Sequence, residues 1–400
     1  MKDGQIINRF QPIEDWILEA ERVFGKMNQR QFWEKCFRLS QFVWDTSLKQ
    51  TTFPITSPSD LFHAIKKVNI AQLRYAGYSF TSVKSLLKRY GLLDNELFVD
   101  FINAQLLITA QNNIEEVNSL FGAASLCYTN YTNHYVNGGL INLINPTLDF
   151  IKTHHGDIHL KEAVLKINPT FNKNAPSNTN YLIETSKSTY TCEYLISGIP
   201  INNTIDLYPQ IAPKFRNRIL KSAQLNSAFQ MGIGFRKSRN YETIHHQIHL
   251  KSPLPIINAK TIFVSLSHPE DLSRADDPSM MVASVSTHWA DPERILSISK
   301  EELEQCVIEA LIEAQILSRQ DIVYAHSSSP TAWAKWTMRA FGFVGGYPQY
   351  FKIKPWQLLD SRLDNYKAYQ VGDTVYPGQG IPGVTLGGIV AFEKLKNDWL

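Results

Sequence analysis

The chain has 400 residues, more than one ordinary hydrophobic core accommodates, so two or more domains are expected. Hydrophobic residues make up 44% and charged residues 19%, a globular composition that excludes general disorder. The net charge of +3, from 40 basic and 37 acidic residues without a dense Lys/Arg stripe, argues against a nucleic-acid partner.

Aromatic residues reach 12%, which suits a bulky core as well as a large apolar cavity. Cys36, Cys127, Cys192 and Cys306 lie far apart with no CxxC, so reduced thiols and a cytoplasmic setting are expected. The first residues, MKDGQIINRFQPIEDW, lack the apolar stretch of a secretory signal. No run approaches the ~20 apolar residues of a spanning helix, and peripheral membrane contact is left open.

In chain order, residues 13–47 read as helical, with Trp16, Ile17, Ala20, Val23 and Phe24 at helical spacing and a second run from Phe32 to Val43. Two prolines break the pattern in 51–60. Ser57 and Asp60 are candidate caps for a helix over Leu61–Ile70. Residues up to 128 look mostly helical. From Gly138-Gly139 the pattern changes to a helix, a turn at Gly156 and a strand from Asp157 to Ile167. Residues 168–178 read as a polar loop, and YLIETSKSTYTCEYLISGIP as short strands. SAFQMGIGF, ETIHHQIHL, AKTIFVSLS and SMMVASVSTHW predict an antiparallel sheet. A helix over 300–317 follows, with Leu303, Val307, Leu311, Ala314 and Leu317 on its apolar face and Ser297 or Ser299 as cap. Residues 331–400 are mixed and Gly-rich, with Pro382 placed to open a final helix to Lys394.

The segment GDTVYPGQGIPGVTLGG (372–388) contains a formal GxGxxG, which is weak by itself. Only 17 residues follow Gly383, so it does not open a first βαβ unit. Its glycines and helix start suit a negatively charged ligand, and Asp373 is placed to accept from hydroxyls. A packing turn between strand and helix fits the same residues equally well.

GDTVYPGQGIPGV resembles the C-terminal flavin motif of the phytoene desaturase and carotenoid isomerase family. Upstream, WTMRAFGFVGGYPQ resembles that family's Arg-x-x-Gly-x-x-Gly-Gly stretch through Arg339, Gly342, Gly345 and Gly346. The element from Gly138 to Ile167 resembles its Gly-Gly-helix-turn-strand, and IFVSLSHPEDLSRA and MMVASVSTHW resemble strands of its substrate domain. The resemblance implies FAD. Gly372 and Asp373 would contact its ribityl–pyrophosphate part, and Gly380, Ile381 and Pro382 would lie against the isoalloxazine. Val164, on the strand after Gly156, would pass near the adenine. Such relatives begin with a strand–GxGxxG–helix unit that this chain lacks; its first residues resemble the part that follows, so roughly a hundred residues are expected to be missing.

Three weaker signals stand aside. His245, His246 and His249 do not share one strand face, and no metal is expected. His154-His155 reads as a solvated helix end. Ser327-Ser328-Ser329 reads as a loop without a nucleophile-elbow context. No catalytic acid, base or nucleophile stands out, as is common where a cofactor performs the chemistry.

The expected fold is mixed α/β. A Rossmann-like FAD domain, N-terminally incomplete, would be formed by 138–200 and 331–400, with a helical segment 1–137 and an antiparallel-sheet domain 201–330 on the substrate side. The expected activity is that of an FAD-dependent oxidoreductase acting on a lipophilic polyene or related apolar molecule by desaturation, saturation or isomerisation. Two other readings stay open: a flavin-free remnant or half of a split protein whose partner chain carries the GxGxxG unit, and an apolar-ligand-binding module.

Overall fold

A computed structural model of the chain describes residues 4–67, 70–170, 179–268, 277–294 and 300–400. The candidate caps Ser297 and Ser299, residues 171–178 of the polar loop and residues 269–275 of IFVSLSHPEDLSRA lie outside the described residues.

The helical elements run α1 (Ile13–Phe24), α2 (Gln29–Lys49), α3 (Pro58–Lys66), α4 (Val83–Arg89), α5 (Glu96–Ala110), α6 (Ser119–Leu126), α7 (Ile141–Thr153), α8 (Ile201–Leu207), α9 (Ala212–Phe215), α10 (Lys300–Glu313), α11 (Pro330–Thr337) and α12 (Ile381–Trp399). The strands are β1 (Val164–Thr170), β2 (Asn180–Thr185), β3 (Thr189–Cys192), β4 (Leu195–Ser197), β5 (Asn226–Arg236), β6 (His245–His249), β7 (Thr261–Leu266), β8 (Met280–Ala290), β9 (Ile322–Ser328) and β10 (Ala368–Gln370). The mixed α/β expectation holds. Among the described residues no helix is long and apolar enough to cross a membrane.

The chain divides into two compact units that interleave in sequence. One is built on Asn133–Lys161 and Lys221–Val344, the other on Ile7–Thr132, Glu162–Leu220 and Gly345–Leu400.

The second unit holds two cores. In the first, the helical spacing of Trp16, Ile17, Ala20, Val23 and Phe24 turns one face of α1 onto α2 and α5. Trp16 meets Trp33 nearly edge-on at 5.0 Å and stacks with Phe101 at 5.6 Å, the offset and edge contacts that aromatic quadrupoles favour. Ser57 caps α3 by accepting from the Asp60 N–H at 3.1 Å, and the Asp60 carboxylate, at the third helical position, accepts from the Ser57 N–H at 3.1 Å; this capping box starts the helix at Pro58 rather than Leu61, and it ends at Lys66 rather than Ile70. The second core gathers Ile167, Tyr181, Tyr208, Phe215, Leu363 and Val375 around the antiparallel sheet β1-β2-β3 and the parallel pair β4-β10.

The first unit is the expected antiparallel sheet, in the order β6-β7-β8-β5-β9. Strand alternation buries Phe229, Met231, Ile233 and Phe235 of β5 with Ala283 and Val285 of β8. α10 covers that face with Leu303, Val307 and Leu311.

Several boundaries differ from those expected. α10 stops at Glu313 because Gln315 turns left-handed (φ 56°). The N–H groups of Ile316 and Gln315 then close on the carbonyls of Leu311 and Ile312 at 2.9 Å each, a Schellman ending. Leu317 still reaches the core, so the apolar period outlasts the helix. The strand expected from Asp157 starts only at Val164, because its partner β2 ends at Thr185, opposite Val164. α12 runs past Lys394 to Trp399, whose Nε1 donates to the Tyr366 carbonyl at 3.1 Å. Ser327 and Ser328 belong to β9 and Ser329 precedes α11, so this stretch is a strand end rather than a loop.

Candidate functional site

Gly345 and Gly346 of the upstream motif and the whole 372–388 segment lie in the second unit. Asp364 sets the start of β10: its Oδ2 accepts from the hydroxyls of Tyr181 and Tyr208, both at 2.8 Å, and its Oδ1 from the Ala368 N–H at 3.2 Å. β10 then pairs parallel with β4, Ala368 opposite Leu195 and Gln370 opposite Ser197. Beyond the carboxyl ends of both strands the chain turns at glycine, Gly198 and Gly372. The crevice outside such strand ends is where open α/β sheets bind ligands.

The two strand ends are tied together. The Val371 N–H donates to the Ser197 carbonyl at 2.9 Å, and the Ile201 N–H to Thr374 Oγ1 at 3.0 Å. Gly372 is left-handed (φ 105°), and a Cβ on it would stand 3.6 Å from the Gly198 carbonyl oxygen. The geometry therefore demands glycine for backbone conformation rather than for space.

Asp373 follows at half-burial, backed by the second motif. A Cβ on Gly346 would stand 2.5 Å from the Asp373 carbonyl oxygen, and Gly346 itself has φ 77°. The Tyr347 N–H reaches the same carbonyl at 3.4 Å. Burial and then the Asp373 charge push the Tyr347 phenol above its ordinary range, against the lowering effect of the Leu220 N–H, so its hydroxyl is a neutral donor to Asn202. Of the upstream motif, Gly345 and Gly346 lie in this unit, while Arg339 and Gly342 lie in the other. There the Arg339 guanidinium sits 4.3 Å from the Phe343 ring centre.

The loop after Asp373 folds back onto the last helix. A Cβ on Gly383 would meet the Gly378 carbonyl oxygen at 2.6 Å, so the loop packs directly on the first turn of α12. Gly380 (φ 84°) precedes that turn with no side-chain cap, and Ile381 and Pro382 stand exposed at its start. The uncapped N–H groups of such a turn attract negative charge.

α12 is held by a buried charge cluster. Arg362 grips Asp60 at 2.8 and 2.9 Å and Asp398 at 2.6 and 2.9 Å, both in the bidentate manner. Lys394, 0% exposed, donates to the Pro54 carbonyl at 2.7 Å and to Asp360. Burial by itself would raise the Asp60 carboxyl, but Arg362 and Lys394 outweigh it and hold it below its ordinary value. Burial lowers the Lys394 ammonium, opposed by Asp360 and Asp60.

Of the residues singled out from sequence, Gly372, Asp373, Gly380, Ile381 and Pro382 lie along one continuous path from β10 into α12. Val164 lies on the separate three-stranded sheet, half-exposed at the start of β1. His245 and His246 bond Ser265 Oγ and the Thr243 carbonyl, both at 3.1 Å. Among the described residues no cluster of metal-ligating side chains forms. Sequence reasoning missed Gly198, whose carbonyl lies beside Gly372 at the strand ends. Its signal was the apolar EYLISGIP run ending in Gly-Ile-Pro, read as a strand and turn but not linked to Gly372. It also missed the charge cluster around α12, because Asp60, Asp360, Arg362, Lys394 and Asp398 are scattered along the chain.

No family model matches the sequence, and no curated protein matches it. Solved structures do share its fold. An oxidoreductase from Methanosarcina mazei superposes with a TM-score of 0.51 at 14% identity, over 85% of this chain and 73% of that one. Cyclohexylamine oxidase from Brevibacterium oxydans gives 0.51 at 12%, over 92% and 73%. A redesigned putrescine oxidase gives 0.55 at 12%, over 94% and 75%. The fold of this chain is therefore one found among oxidoreductases.

Proposed function

We propose that the crevice at Gly198 and Gly372 is part of the FAD site of an oxidoreductase. One observation carries this reading: the two motifs quoted from sequence meet, Gly346 packing on Asp373 so closely that a side chain is excluded. Oxidoreductase relatives of the same fold support it. Bound FAD supplies the redox chemistry, and the residues here bind and orient it. Gly372 and Gly198 allow close backbone approach, Asp373 accepts from cofactor hydroxyls, and the uncapped start of α12 at Gly380, Ile381 and Pro382 stabilises negative charge on the ring edge. Val164 remains assigned to the adenine side by resemblance. The substrate is a lipophilic molecule of the polyene class; the amines named for two relatives are the competing outcome of a substrate panel.

The test is flavin content. The purified chain should absorb between roughly 350 and 500 nm, and Asp373→Asn should retain several-fold less flavin while folding normally by circular dichroism. Equal flavin in the variant would remove Asp373 from the site.

A second reading is favoured by the open edge of β4. Leu195 and Ser197 direct their backbone groups to β10, so Ile196 turns its N–H and C=O to the opposite edge. No strand pairs there among the described residues, and Ile196 is 52% exposed. Parallel sheets are normally covered on both faces and extended beyond two strands. We therefore propose that a further strand, from a preceding segment or a partner chain carrying a GxGxxG unit, completes the sheet and the flavin site. A chain that stays colourless with flavin and turns yellow when such a polypeptide is added would support this; flavin bound at full stoichiometry by the chain alone would overturn it.

A further inference from the structure

In the second unit, α3 presents its apolar side chains to solvent. At helical spacing Asp60 and Ala64 point inward and are buried, while Leu61, Phe62, Ile65 and Lys66 occupy the outward arc. Phe62 is 58% and Ile65 64% exposed. A helix that folds by burying an apolar stripe does the reverse. What holds α3 in place is polar: the capping box at Ser57, and the grip of Arg362 on Asp60 at 2.8 and 2.9 Å.

The exposed apolar surface continues beyond α3. Gln50 Nε2 donates to the Ala64 carbonyl at 3.3 Å and Thr52 Oγ1 to the Asp60 carbonyl at 3.4 Å, which ties the end of α2 beside α3. Leu48 at that end and Ile55 in the connection are exposed too. Lys49, Lys66 and Lys67 flank these side chains, all three exposed. Lys66 Nζ lies 3.9 Å from the Phe62 ring centre, and Lys67 Nζ reaches Thr51 Oγ1 at 3.4 Å. Among the described residues none of the three lysines forms an ion pair. The one carboxylate between residues 48 and 67 is Asp60, buried against Arg362. The nearest exposed acid on α2 is Asp45, a turn before Lys49.

We propose that this face, from Leu48 to Lys67, docks the protein on an anionic lipid surface with α3 lying in the plane of the interface. Such a surface meets both halves of the patch. Its headgroups complement the lysines, and its acyl boundary takes up Leu61, Phe62 and Ile65. The lysine stems lie along apolar surface while their ammonium groups stay at headgroup level. An apolar protein surface would strip water from the lysines without compensation. A nucleic acid would neutralise them but leave the leucines and isoleucines in water, and Lys66 already covers the Phe62 ring on which a base would stack. The patch lies within one unit and its use requires no flavin.

The test is co-sedimentation of the full chain with vesicles. Phosphatidylcholine–phosphatidylserine vesicles should bind it more tightly than pure phosphatidylcholine, and added salt should weaken the binding. Lys66→Gln and Lys67→Gln should each weaken it by about fivefold. Phe62→Ser should weaken it by about tenfold. Phe150→Ser on α7, at a comparably exposed position, should leave it unchanged. No binding to either vesicle, equal binding to both, or equal losses in Phe62→Ser and Phe150→Ser would overturn the proposal. Self-association without lipid that Phe62→Ser abolishes would overturn it too, giving the face to a second copy of this chain. The comparison of the two vesicles with the wild type stands even if a variant fails to fold.

Discussion

At Gly346 a side chain has two objections to meet at once. Its φ of 77° is a conformation that L residues seldom adopt, and a Cβ would stand 2.5 Å from the Asp373 carbonyl oxygen. Gly346→Ala should therefore destabilise the fold by about 1–3 kcal/mol and displace Asp373, measured by urea unfolding. Gly372 meets only the first objection, since the nearest atom to its Cβ lies at 3.6 Å. Gly345 has close neighbours of another kind: a Cβ there would meet the Gln111 and Gln379 side-chain amides, which can move more readily than backbone. A wild-type thermal transition in Gly346→Ala would show that the turn relaxes freely and that its packing on Asp373 is incidental.

The last helix shows how an element is fixed in place by charge rather than by its own propensity. α12 carries Gly387 and Gly388 in its interior, each unfavourable for a helix by roughly 1 kcal/mol relative to Ala. Arg362 and Lys394 join it to α3 and to the 360–362 segment through Asp60, Asp360 and Asp398. Asp60 titrates below its ordinary value in the folded chain, so its stabilising contribution is present above the unfolded carboxylate pKa and is lost as pH falls through the lowered folded value. At neutral pH, Asp60→Asn should cost about 3–5 kcal/mol, the scale of breaking a buried pair. That difference from the wild type should begin to shrink below pH ~4, where the unfolded chain's carboxylate binds its proton, and be gone once the folded carboxylate is protonated at its lowered value. Denaturant unfolding across a pH series checks this; a difference independent of pH would mean that Asp60 acts as a neutral cap of α3 and not as a charge.

Across the whole molecule, apolar side chains remain uncovered on particular elements. β4 exposes Ile196 on its open edge, α12 exposes Ile389 and Phe392, and α7 buries none of its side chains, leaving Ile141, Ile144 and Phe150 in solvent. An open strand edge beside exposed apolar residues is a template for association. Ile196→Lys should therefore reduce concentration-dependent light scattering while changing stability by about 0.5 kcal/mol or less, as expected for a surface position. Unaltered scattering would show that β4 is not the site of association.

Much of this architecture was legible because local periodicity decides it. The apolar spacing of α1 and α2, Ser57 as a cap, the alternation of β5 and β8, and the Gly-Ile-Pro start of α12 are each set by neighbours a few residues away. The order Gly372, Asp373, Gly380, Pro382 was likewise readable as one stretch. Tertiary structure decided the rest. Which glycines need to be glycine depended on a partner 27 residues distant, Asp373 against Gly346. The pairing of β4 with β10 joined strands whose sequences carry no mark of each other. The carboxylates that hold Arg362 and Lys394 come from three separate segments, and register alone places His326 beside Gly232. Local pattern specifies which elements form; register and long-range packing choose which side chains meet, because those contacts arise only when segments far apart in sequence close on one another.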